Sequence, residues 1–117
     1  MTPQKGKKSK TAPARLRHLR PETRRWVLSV EDNYLLDDHH RRLLLLAGEA
    51  WDRGQQAREA LAEHGTVYVD RFDQPRARPE VKIEADARLQ FARLVRELRL
   101  DEEEPPDQRP PRLGRKD

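Results

Sequence analysis

The sequence predicts a mainly α fold: a helical hairpin of two long antiparallel helices joined by a short β-hairpin-like turn. One short helix precedes it, and disordered N- and C-terminal tails flank it. Three observations carry this prediction. Leu43, Ala47, Ala50, Gly54, Ala57 and Leu61 recur at spacings of four and three, the a/d seam of a helix packed closely on a partner. Ile83, Ala87, Phe91, Leu94, Val95 and Leu98 form a second helical stripe. Between them, Gly65 and the β-branched and aromatic run Thr66 to Val69 break the helical pattern.

The chain divides into a basic arm over 1–18, a helical core over 19–100 and an acidic, proline-rich and then basic tail over 101–117. Within the arm, residues 1–14 lack a periodic apolar face and are expected to be disordered. A short helix is expected over 21–32, opened by Pro21-Glu22, with Trp26, Val27 and Val30 on its apolar side. Trp26 is read as a plug against the apolar run Leu43 to Leu46. Asp37-Asp38 suit the N-cap and first turn of a long helix over 37–64. Its inner positions are small, so a neighbouring backbone can approach closely. Glu49, Asp52, Arg53, Arg58, Glu59 and Glu63 point away from the seam.

The turn spans 65–78, and Pro79 is well placed as the first residue of a helix over 79–100. Glu80 and Glu84 near its start and Arg96 and Arg99 near its end suit the helix dipole. Val67, Tyr68, Val69 and Phe72 are expected to pack on the helix ends and clasp them, so that Phe72→Ala costs ~3 kcal/mol. The small seam residues Leu43, Ala47, Ala50, Gly54, Ala57 and Leu61 are also the candidates for contacts between chains.

Composition favours an accessory protein. The chain has 117 residues, 34% hydrophobic and 39% charged, too little apolar material for a thick core and a reason to expect an oligomer. It contains no cysteine, so disulfides and thiolate metal sites are excluded. No apolar run approaches the ~18 residues of a membrane span, and the basic N-terminus lacks the apolar stretch of a signal peptide.

Charge is uneven. Residues 1–25 hold nine basic groups and one acid, a net of +8, so the remaining residues sum to 4 − 8 = −4. Lys5, Lys7, Lys8, Lys10, Arg15, Arg17, Arg20, Arg24 and Arg25 are the DNA-contact candidates, able to neutralise phosphates without reading sequence. A plain solubility tail explains the same composition. The short and long helices together imitate a helix-turn-helix, but the solid run Leu43 to Leu46 is a poor reading face.

Catalytic patterns are weak. Asp70, Asp73, Glu80 and Lys82 imitate a metal-dependent nuclease signature, yet Glu80 and Lys82 fall in a helix's first turn, where i and i+2 point apart. His39 and His40 are adjacent rather than one helical turn apart, and His18 and His64 have no evident carboxylate cluster. No glycine-rich phosphate loop is present. The reading is a non-enzyme with no cofactor and no metal.

The ordered pattern Ala50-Trp51-Asp52-Arg53, Ala57 to Gly65, Tyr68, Asp70-Arg71-Phe72, Gln74-Pro75-Arg76, Arg78 to Val81, Glu84, Asp86 to Arg88, Phe91, Arg93-Leu94 and Arg96 to Leu98 resembles the small terminase subunit of tailed double-stranded-DNA phages and prophages. The resemblance covers roughly Leu19 to Leu100, and the family commonly has Gly where this chain has Asp73. It implies a ring-like homo-oligomer that binds double-stranded viral DNA and delivers it to the large ATPase-nuclease terminase subunit for genome packaging in the host cell cytoplasm. It also implies that the C-terminal region, with Arg109, Arg112, Leu113 and Arg115 as candidates, engages the large subunit. The alternatives are a host or prophage DNA-binding regulator or nucleoid-type protein and, third, a nuclease accessory.

Overall fold

In the computed structural model of the protein the described residues are 12–100. They fold as three helices with a two-stranded antiparallel sheet between the second and third: α1 (Pro21–Asn33), α2 (Asp38–His64), β1 (Val67–Val69), β2 (Pro75–Ala77) and α3 (Pro79–Leu98). A 3-10 turn, Ala14–Leu16, precedes α1.

This turn corrects the arm boundary. The basic arm expected over 1–18 ends in packed residues, for Leu16 is fully buried and Leu19, just beyond it, nearly so. The Leu16 N–H donates to the Pro13 carbonyl at 2.9 Å, and the Leu19 N–H to the Leu16 carbonyl at 3.1 Å. Two leucines three apart, each backed by a local turn, anchor the strand of chain entering α1. Their apolar signal is masked in the sequence by Arg15, Arg17, His18 and Arg20.

α1 begins at Pro21, whose missing N–H costs nothing at a helix start. It buries Thr23, Val27 and Val30, one face at spacings of four and three. One residue more than expected, Asn33, belongs to α1. The Asp37 carboxylate accepts from the His40 N–H at 2.8 Å, so Asp37 caps α2 rather than opening it. With 27 residues α2 is about 40 Å long at ~1.5 Å per residue. Gly65 closes it at φ 82°, a left-handed conformation that an L side chain strains to adopt, and returns its N–H to the Leu61 carbonyl at 2.7 Å.

The sheet pairs Val67 with Ala77, Tyr68 with Arg76 and Val69 with Pro75. Asp73 supplies the positive φ of 64° in its turn. α3 starts at Pro79 and stops at Leu98, two residues earlier than expected, because Arg99 turns left-handed at φ 58°. The Tyr34 hydroxyl donates to the Leu100 carbonyl at 2.8 Å, tying the end of this segment to the end of α1.

The core has two parts. At the open end of the hairpin, Leu16, Leu19, Val27, Val30, Leu44 and Leu98 form the apolar cluster, with Trp26, Leu28, Leu36, Leu43, Leu45 and Leu100 packed around it. Trp26 backs this cluster, and its ring meets Phe91 of α3 at 5.8 Å. Towards the closed end the core thins to the alanine seam, with Ala47, Ala50 and Ala57 of α2 and Ala87 of α3 all buried. A Cβ built on Gly54 would lie 3.3 Å from the Ala87 Cβ, so the two helices are in close contact at that point.

Two expectations are corrected here. The hairpin does not clasp the helix ends: Val67, Tyr68, Val69 and Phe72 are 53, 42, 61 and 68% exposed. Strands of three residues are too short to fold back over α2 and α3, so their side chains face solvent. The inner seam is also spent within the chain. Ala47, Ala50 and Ala57 are sealed beneath α3 and cannot touch a second copy, while Leu43, Gly54 and Leu61 are half-buried.

Candidate nucleic-acid interface

Of the nine arm cations, Lys5, Lys7, Lys8 and Lys10 lie outside the described residues, as do the tail candidates Arg109, Arg112, Leu113 and Arg115. The five described arginines do not act as one basic surface. Arg15 forks onto Glu31 of α1 at 2.7 and 3.0 Å. Arg20 forks onto Glu59 of α2 at 2.7 and 3.0 Å. Each guanidinium is held in its charged form by the hydrogen bonds it donates to its acid, and the Glu59 carboxyl is held below the usual carboxylate range by the bond it accepts from Arg20. Arg24 donates to the Leu19 carbonyl at 3.0 Å from a half-buried position. Arg15, Arg20 and Arg24 therefore brace the chain's entry into α1, each donating to an acceptor within the chain.

Arg17 and Arg25 remain exposed, the former donating over 3.4 Å to the Ala12 carbonyl. Sequence reasoning passed over a second pair. Arg41 and Arg42 are exposed in the first turns of α2, beside exposed His39, and Arg42 meets Asp38 only at 3.8 Å. Their signal was in plain sight: charged residues at the N-terminal end of the second helix, ahead of the leucine run that weakens the helix-turn-helix reading.

The arginine-to-acid bracing depends on an unanticipated junction. The N-cap of α1, Arg20, has no capping side chain of its own. Asp52 of α2 substitutes from across the interface, accepting from the Arg20 N–H at 2.8 Å and from the Thr23 hydroxyl at 2.6 Å. Thr23 is 4% exposed, so its hydroxyl depends on this partner. Asp52 looked like an outward charge because a single helix cannot reveal which neighbour will arrive.

The nuclease-like residues do not converge. Asp70 is the keystone of the β turn: one oxygen accepts from the N–H groups of Phe72 and Gln74 at 2.9 and 3.0 Å, the other from Arg76 at 2.8 Å. These bonds, that from Gln74 foremost, hold its carboxyl below the usual range. Glu80 faces Arg78 at 3.5 Å, and Lys82 pairs with Asp86 at 3.0 Å along α3. His18 pairs with a single acid, its Nε2 lying 2.8 Å from the Glu49 carboxylate. Among the described residues no three His, Asp or Glu gather where they could hold a metal ion. Among the same residues, no helix is long and apolar enough to cross a membrane.

The side chains thus build a braced helical scaffold, with Arg41 and Arg42 exposed at the start of α2 and an exposed hairpin beyond its end. Comparison of the chain with protein-family models, with curated proteins and with solved structures finds no match.

Proposed function

We propose that the chain is a small terminase subunit, which binds viral double-stranded DNA and hands it to a large ATPase-nuclease subunit for packaging in the host cell cytoplasm. The observation that carries this reading is the ordered pattern from Ala50 to Leu98. Its residues serve distinct purposes in this fold, among them the seam at Ala50, Ala57 and Ala87, the stop at Gly65, the turn at Asp70 and the helix start at Pro79. A pattern whose members each do a separate structural job is hard to assemble by chance.

The basic N-terminal segment supports the DNA-binding half of the reading, since each subunit of a ring contributes the same weak phosphate contacts and avidity multiplies them. Contacts between copies are left to surfaces outside the inner seam. A DNA-binding regulator is the second reading, favoured by the exposed Arg41 and Arg42 at the start of α2. The solution mass of the protein, alone and with a neighbour-encoded large terminase subunit, separates them. A ring-sized mass and a stable complex support packaging. A small species that ignores the large subunit refutes it.

A further inference from the structure

Both tryptophans of the chain and one of its two phenylalanines meet at one place. Trp26 of α1 and Trp51 of α2 flank Phe91 of α3, with ring centroids 5.8 and 5.0 Å from it and planes tilted by 51° and 56°. The three rings line an open groove of about 440 Å³ together with Thr23 and the exposed carboxylate of Glu22. Trp51 remains 45% exposed. So much aromatic surface around a concave site, with one acid at its edge, is the chemistry of a recognition groove.

We propose that this groove is the docking site for the chain's own proline-rich segment, Pro105 to Leu113, with its prolines on the tryptophan faces and Arg109 directed to Glu22. Proline restricts a chain towards the polyproline II conformation, so a segment carrying Pro105-Pro106 and Pro110-Pro111 would lose little entropy when laid against aromatic walls. Arginine suits the remaining contact, since a guanidinium both stacks on indole and forks onto a carboxylate. The same carboxylate disfavours a phosphate, which argues against nucleic acid as the occupant.

The geometry permits this contact within one chain. The bond from Tyr34 to the Leu100 carbonyl fixes the start of the tail at the C-terminal end of α1. Trp26 lies about 12 Å back along α1 at ~1.5 Å per residue. The chain from Leu100 to Pro105 spans up to about 17 Å when extended. Another ~12 Å of polyproline II then carries Arg109 past Glu22, roughly one turn before Trp26. This groove and its occupant are independent of the DNA-binding reading.

Because Trp26 and Trp51 are the chain's only tryptophans, they report directly on the groove. The test is acrylamide quenching of tryptophan fluorescence in the full chain, in Glu22→Gln and in a chain carrying Pro105→Ser, Pro106→Ser, Pro110→Ser and Pro111→Ser. Far-UV circular dichroism of each checks the helices. Both variants should show redder emission and a quenching constant raised roughly twofold, as the face of a covered aromatic opens. Unchanged quenching in the four-proline variant overturns the proposal, and unchanged quenching in Glu22→Gln alone overturns the arginine contact. The wild-type constant should not vary with protein concentration. A rise on dilution would assign the groove to the tail of another copy and overturn docking within one chain. DNA binding is read separately, so failure here leaves the packaging reading standing.

Discussion

At Asp52 one carboxylate serves two donors at the start of another helix, the Arg20 N–H and the Thr23 hydroxyl. Removing it in Asp52→Ala strands the hydroxyl of a residue only 4% exposed and should cost about 1–3 kcal/mol, read as a lowered denaturation midpoint. An unchanged midpoint would mean that water replaces the carboxylate. Phe72 is the opposite case. Its ring is 68% exposed and lies under Arg71, whose guanidinium carbon is 5.1 Å from the ring centre. Phe72→Ala should therefore shift stability by no more than about 0.5 kcal/mol, far from the loss expected of a buried clasp. Single-residue roles were legible where they are local. Asp37 as a cap, Gly65 as a stop and Pro79 as a start each follow from backbone chemistry within one turn. Asp52, Leu16 and Phe72 were not legible, because their roles depend on what packs over them.

Elements show the same division. Two helices with apolar stripes and a break between them leave few arrangements besides a hairpin, and α2 and α3 take that arrangement. The sheet was legible as a turn but not as an exposed one. Its integrity rests on Asp70, which holds two backbone N–H groups and Arg76. Asp37, Glu59, Asp70 and Glu84 all have carboxyls held below the usual range by the hydrogen bonds they accept. A depressed carboxyl contributes stability that is fully present above its unfolded value and is lost as pH falls through the folded one. Stability should accordingly be flat from neutral pH down to about 5 and then decline below about 4. In the sheet, the exchange protection of the Phe72 and Gln74 amides, taken relative to their intrinsic rates at each pH, should fall with acid in the parent protein, while in Asp70→Asn it should already be low at neutral pH. Equal exchange in parent and variant would remove Asp70 from this role. The close contact of Gly54 and Ala87 gives a second test at this scale. Gly54→Leu must separate α2 from α3 and should destabilise the monomer fold by about 1–3 kcal/mol, despite the better helix propensity of leucine.

Over the whole molecule, charge is sorted more sharply than a count of arginines suggests. Arg15 and Arg20 have their charge met by Glu31 and Glu59, so the DNA-binding proposal assigns the phosphate contacts of the N-terminal segment to Lys5, Lys7, Lys8 and Lys10 together with Arg17 and Arg25. Counterion release turns this sorting into a measurable slope, since each neutralised phosphate contributes about 0.9 to the fall of log affinity with log salt. Replacing the four lysines by glutamine should lower that slope by up to about 3–4 per chain on one duplex. Arg20→Gln removes one formal charge but frees Glu59. It should reduce thermal stability while leaving the slope nearly unchanged, whereas Arg17→Gln with Arg25→Gln should lower the slope and spare the fold. A solubility tail predicts the same slope for all three variants. A slope lowered as much by Arg20→Gln as by the exposed pair would show that its bond to Glu59 yields to phosphate, and that the brace and the DNA contact are one site.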